Sequence, residues 1–177
     1  MKKLLTLILL IGGLAGAWAQ GTLQFTVNVN GSNEVPPNGS PGFGSGGLTL
    51  NGTDLSYLFS GSDLFEGNAL PTDATINGPA DASSNAPLIF DLGAPTISPI
   101  QPPPGSGYSW QGTVNNLTGT EISDLENGLW YVNVFTSSGD YPNGEIRGQI
   151  TPVPEPSALA LLGLGAGLTR WFKRGKS

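Results

Sequence analysis

Two pairs of neighbouring carboxylates, Asp63 with Glu66 and Asp124 with Glu126, come nearest in type and spacing to acid–base chemistry. A hydrolase built on such a pair needs two carboxyls about 5 to 9.5 Å apart across a cleft, one with its pKa raised. No sequence feature around either pair marks a cleft, and solvated surface acids are the ordinary reading. Nucleophilic chemistry fares worse. Serine and threonine are plentiful, but the chain has no histidine to activate them and no cysteine to act as a thiolate. The same absences remove the commonest ligands for zinc and copper. Hard cations are less constrained: Asp54, Asp63, Glu66, Asp73, Asp81 and Asp91 could offer carboxylate oxygens to a weak extracellular calcium site, which needs no EF-hand spacing. The glycine-rich segment 42–47 reads as a flexible loop, without the lysine and following helix of a phosphate-binding loop. The sequence therefore points to no catalytic residue and no resident cofactor, with weak calcium binding left open.

Arg147 stands apart. Of the seven basic residues, Lys2 and Lys3 lie at the extreme N-terminus and Arg170, Lys173, Arg174 and Lys176 at the extreme C-terminus, which leaves Arg147 alone in the body with twelve acids. A body charge of about −11 argues against nucleic acid, anionic lipid or acidic polysaccharide as partners held by charge attraction. A lone cation in such a field predicts a bidentate structural ion pair between Arg147 and Glu34, joining an opening loop to a closing strand. The alternative is a solvated arginine on an edge strand near Glu145.

The elements that would position these groups are strands. Leu23, Phe25, Val27 and Val29 alternate with Gln24, Thr26 and Asn28, a period of two that puts one apolar face on a core. Further strands are expected at 47–50, 54–60, 88–92, 108–114, 130–136 and 145–151, with turns at Asn51-Gly52, Gly61-Ser62 and Asn143-Gly144. Thr118-Gly119-Thr120-Glu121 can form a capping box, and Gly128 can close the short helix it starts. Pro99 to Gly107, with three consecutive prolines, is expected to be a surface loop of polyproline character. Together these predict an all-β domain, an antiparallel β-sandwich or barrel-like fold with one short helix.

Both ends carry addresses. Lys2-Lys3, the apolar stretch from Leu4 to Ala17, and Ala17-Trp18-Ala19 before Gln20 read as a secretory signal peptide over 1–19, to be removed by signal peptidase. The β domain then spans 20–151. Residues 152–177 hold Val153-Pro154-Glu155-Pro156, an uncharged apolar run from Ser157 to Thr169, and a cationic finish. That tail resembles a PEP-CTERM sorting signal. The resemblance implies a two-membrane bacterium, an exosortase-type enzyme that cuts near the Pro154-Glu155-Pro156 triplet, and a tail that enters the membrane at least transiently. The thirteen uncharged residues give about 20 Å of helix against a hydrocarbon core of roughly 30 Å, a marginal anchor. A retained membrane helix is the alternative to cleavage.

Within the body, Gly31-Ser32-Asn33-Glu34-Val35-Pro36-Pro37, the segment Leu125 to Val134, and Tyr141-Pro142-Asn143-Gly144-Glu145-Ile146-Arg147-Gly148-Gln149-Ile150 occur in the order of three motifs of the CHRD domain, the module named from chordin. Residues 21–151 are similar to that family throughout, which implies a β-rich fold and leaves function open. Where the family commonly carries a His-Ile-His-Gly-Pro-Ala type segment this chain has Thr75-Ile76-Asn77-Gly78-Pro79-Ala80, and where a late strand usually ends in His-Thr it has Phe135-Thr136. Any metal or polar cluster that such histidines form in relatives would lose its ligands here.

Two classes of function follow. One is an exported, non-catalytic protein of the bacterial envelope, cell surface or extracellular matrix, kept with exopolysaccharide or a surface protein. The other is a binding module for a neutral sugar, a protein partner or calcium, using Tyr108, Trp110, Tyr141 and the proline-rich loop. Exposure of the aromatic side chains would favour the second, and burial of Trp110 and Trp130 the first.

Overall fold

In the computed structural model the described residues are 21–62, 70–99, 106–137 and 139–154. Nine strands form one antiparallel sheet: β1 Leu23–Asn30, β2 Phe43–Asn51, β3 Asp54–Ser62, β4 Pro71–Asn77, β5 Leu88–Gly93, β6 Thr96–Pro99, β7 Ser106–Val114, β8 Tyr131–Thr136 and β9 Ile146–Pro152. Their order across the sheet is β5-β4-β8-β9-β1-β2-β3-β7-β6. One α-helix, α1 Gly119–Glu126, lies between β7 and β8.

The sheet curls into a half-barrel, so of the two expected architectures the barrel-like one forms and the sandwich does not. Its curvature is tied across the open side: Trp110 Nε1 on β7 donates to the carbonyl of Gly93 at the end of β5, 2.8 Å away. The enclosed face carries the apolar alternation. Phe25, Val27 and Val29 of β1 pack with Leu48, Leu55, Phe59, Ile76, Trp110, Trp130, Val132, Val134, Ile146 and Ile150, all buried. Phe59 and Trp110 stack at 5.1 Å between ring centroids.

The short helix begins as the sequence predicts. Thr118 accepts from the Glu121 backbone amide, while the Glu121 carboxylate accepts from both the backbone amide and the hydroxyl of Thr118. Those bonds also hold the Glu121 carboxyl below its usual range. Gly128, with φ of +68°, follows the helix and allows the turn into β8. The Asn51-Gly52 and Asn143-Gly144 turns likewise place a positive φ on glycine.

Four local expectations change. The segment read as a flexible glycine loop is the first half of β2, because the chain runs against Phe59 so closely that a Cβ at Gly46 would collide with it. Glycine here permits close approach of strands rather than freedom. Gly61-Ser62 continues β3 and is not a turn. β4 and β6 form where no strand was expected. The two ends of the supposed loop are strand residues, Pro99 of β6 opposite Ser106 and Gly107 of β7 opposite Ser98, since proline at the last position of an edge strand forfeits no ladder bond that a neighbour requires. Residues 100–105 of that segment, the stretch 1–19 expected to be a signal peptide and the apolar tail lie outside the described residues.

Candidate functional site

Direct cross-strand partners share a face of the sheet, so register shows what lies opposite the core. Thr75, Asn133, Arg147 and Asn30 align across β4, β8, β9 and β1, and Asn77, Tyr131 and Gln149 align beside them. The core face carries Ile76, Val132, Val134, Ile146 and Ile150 between them. The outer face of four central strands is therefore polar, and two loops cover it: residues 31–42 after β1 and residues 78–87 after β4.

Arg147 anchors this layer. It is 1% exposed, and its guanidinium carbon sits 3.5 Å from the centroid of the Tyr131 ring. Nη1 donates to Asn85 Oδ1 at 2.9 Å, and Nη2 donates to the carbonyls of Asp81 and Ser84 at 3.0 and 2.8 Å. Asn85 in turn donates to the Val35 carbonyl at 2.7 Å, linking the arginine to the opening loop. Tyr131 Oη donates to the Ala86 carbonyl and accepts from the Ala86 amide. Burial lowers the Arg147 pKa, while Tyr131, Glu34 and Asp81 pull it back up.

Glu34 and Arg147 line one pocket without a hydrogen bond between them. The guanidinium fork is filled by the 81–85 loop, whereas Glu34 Oε1 is buried with no partner. The expected bidentate pair is thus replaced by attraction across the pocket. The solvated edge-strand alternative does not hold either, because β9 lies between β8 and β1. With 6% of its surface exposed, Glu34 has its carboxyl pushed by burial up to about 7, against the opposing pull of Arg147 and of the Val35 backbone amide.

The junction of opening loop and closing strand exists, but other residues make it. Glu145, fully buried, accepts from the Ser40 hydroxyl at 2.7 Å and the Thr136 hydroxyl at 2.6 Å, and its backbone carbonyl accepts from Asn38 Nδ2 at 2.9 Å. Sequence reasoning missed the role of this carboxylate, since one hydroxyl partner lies 105 residues away and the other across the β8–β9 connection, and neither leaves a local signature.

The pocket has a volume of about 360 Å³. Arg147 and Gln149, two residues apart on β9, lie at its base, with Glu34 and Val35 from one loop and Ala82 and Ser83 from the other. Gln149 Nε2 donates to the carbonyls of Ala80 and Gly128 at 2.8 and 2.7 Å, which fixes the side chain and leaves Oε1 buried and unpaired.

The other sequence-derived candidates are scattered. Asp54 accepts from the Asn116 amide, Asp81 from the amide and hydroxyl of Ser83, and Asp91 from the Gly93 amide. Asp73 is raised in pKa, first by burial and then by the nearby Asp91 carboxylate. Among the described residues no three acids gather at a metal-sized site. Asp63 and Glu66 lie outside them. Asp124 and Glu126 fall on the short helix, and neither lines the pocket described above. Thr75, Asn77 and Phe135, where relatives would carry histidine, do share one face of β4 and β8, with Thr75 Oγ1 donating to Asn77 Oδ1 at 2.6 Å. Tyr108 and Trp110 are in the core, so they form no exposed aromatic platform, and Tyr141 is half-buried. Val153 and Pro154 extend beyond β9, while Glu155 and Pro156 fall outside the described residues. No helix among the described residues is long and apolar enough to cross a membrane.

Comparison with known proteins agrees with this division of the chain. The CHRD domain model matches residues 25–150, and the PEP-CTERM protein-sorting motif matches residues 152–174. No curated protein and no solved structure is detectably similar. The sorting motif supports export to the envelope or surface of a Gram-negative bacterium, handling by an exosortase, and association of the tail with the membrane. The chain belongs to the CHRD-domain family, as a member whose β half-barrel is followed directly by a PEP-CTERM sorting tail.

Proposed function

We propose that this chain is an exported, non-catalytic protein of the bacterial envelope or extracellular matrix, displayed as its β half-barrel after cleavage in the tail. The observation that carries this reading is where the last described strand ends. β9 closes at Pro152, and the backbone amide of Val153 makes a bond to the Gln24 carbonyl at 2.8 Å. A cut near Pro154-Glu155-Pro156 would leave intact every strand and every core residue among the described residues. Burial of Trp110 and Trp130 supports a structural rather than an aromatic-platform role for that face. The perturbed carboxyl of Glu34 has no second carboxyl beside it in the pocket lining, and the Ser32 and Ser83 hydroxyls there donate to Asn30 and Asp81 instead.

Replacing Pro154, Glu155 and Pro156 together by alanine tests the sorting half of this proposal. Fractionation of the native bacterium should then show the protein retained, uncut, in the membrane. Normal release of the triple variant would sink it.

A second reading, a binding module, is favoured by one observation: a pocket with two buried oxygens that lack partners.

A further inference from the structure

We propose that the pocket between the 31–37 loop and the 81–83 turn binds one neutral sugar residue through two neighbouring hydroxyl groups. This rests on the binding-module reading and concerns the β domain alone, so its failure would leave the export reading standing. Buried polar atoms in folded proteins almost always find partners. Here Glu34 Oε1 and Gln149 Oε1 are both buried, both unpaired, and both belong to residues lining one cavity. Gln149 Oε1 is an acceptor at every pH, and Glu34 Oε1 is one in the ionised form that prevails above about pH 7, so the missing partner must donate. The mouth repeats that polarity: the Ser83 hydroxyl already donates to Asp81 Oδ1 and the Ser32 hydroxyl to Asn30 Oδ1, so each has only lone pairs left to offer.

Charge narrows the class of donor. A metal ion or an ammonium group would have to sit beside the guanidinium of Arg147, which is nearly fully buried and already holds three oxygens. A carboxylate or phosphate would have to enter beside Glu34 on a body of about −11 charge. A neutral hydroxyl meets neither objection. Two acceptors from different elements suit two adjacent hydroxyls of a ring, and Val35 and Pro37 supply an apolar wall for its C–H groups. At about 360 Å³ the cavity lies at the small end of ligand pockets, which run from about 300 to 1,000 Å³, the size for one ring and not a chain of them.

Amide chemical-shift mapping of the full chain in phosphocholine micelles tests this directly. The probes are the methyl glycosides of glucose, mannose and galactose, beside glucuronate, calcium chloride and glycerol, with dextran to separate a terminal unit from a polymer. At least one neutral glycoside should shift the amides of 32–35, 82–84 and 147–149 saturably, with a Kd of about 1–10 mM, while glucuronate and calcium leave them in place. Ala82→Trp, at an exposed mouth position, should weaken that response about tenfold without changing the melting temperature, and Glu34→Ala should abolish it. Silence of those amides to every glycoside at about 50 mM, or an unaltered response in Ala82→Trp, would overturn the proposal. So would calcium or glucuronate saturating the same amides.

Discussion

Glu34→Gln should stabilise this protein, increasingly as pH rises from 4.5 to about 7 and fully above that. Burial raises the Glu34 carboxyl from 4.5 to about 7 in the folded state even with Arg147 across the pocket. The folded state therefore binds the proton more tightly than the unfolded state. Stability contributed by that proton is fully present below pH 4.5 and is lost as pH rises through about 7. At about 1.4 kcal/mol per tenfold change in proton affinity, the shift from 4.5 to about 7 amounts to about 3 kcal/mol. Asp73 shifts in the same sense from a lower starting value, whereas Asp81 and Glu121 shift the opposite way and lose their contribution only in acid. Glutamine keeps the shape of Glu34 and carries no charge to desolvate. At several degrees per kcal/mol for a domain of this size, its melting temperature should exceed the parent's by about 10 °C at about pH 8.5 and match it closely at about pH 4, below the unfolded value of 4.5. Thermal unfolding of both proteins at the two pH values, followed by near-UV circular dichroism, makes the comparison. A variant that melts well below the parent at both would refute the reasoning, because that is how a protein behaves when one half of a buried, hydrogen-bonded ion pair is removed.

Arg147→Gln should cost about 3 kcal/mol, since three oxygens of the 81–85 loop and the Tyr131 ring lose their cation; hydrogen exchange should show amides 83–86 losing protection before the rest. Arg147→Lys should recover little of that loss, because an ammonium cannot reproduce the planar fork, and equal melting temperatures for Arg147→Lys and the parent would contradict this. Glu145→Ala leaves the Ser40 and Thr136 hydroxyls without their acceptor and should lower stability by about 2–4 kcal/mol in urea titration. Thr118→Ala removes one half of the capping box and should cost about 1 kcal/mol, with helical signal lost at 222 nm before the sheet unfolds.

Local signals in the sequence were sufficient where a single element decides its own structure. The alternation through Phe25, Val27 and Val29 and the capping box at Thr118 and Glu121 both appear in the fold. Strand β4 was hidden because Ala74, Thr75 and Ile76 are all buried, on two different faces, so that no alternation of polar and apolar residues appears. The glycines of β2 imitate a loop, and only the close approach of neighbouring strands explains two of them, Gly46 against Phe59 and Gly44 against Ser60 and Val29. Glu34 and Arg147 were singled out from charge alone and do come to one pocket. What charge could not reveal is that Asn85 and two backbone carbonyls of the 81–85 loop would take the guanidinium first. Gln149 gave no signal, as its isolation depends on the carbonyls of Ala80 and Gly128, which only the fold brings to it. A buried carboxylate with one oxygen unpartnered, which burdens stability above about pH 7, is the kind of residue that a binding site retains and a purely structural domain would shed.

Intact mass of the native protein, recovered separately from envelope, extracellular matrix and culture medium, tests the account most directly. A species beginning near Gln20 and ending near Val153-Pro154-Glu155-Pro156, found outside the membrane fraction, is the expected result. A species that still carries Lys176 and stays in the membrane would contradict cleavage and sorting, and would leave a tail-anchored envelope protein in their place.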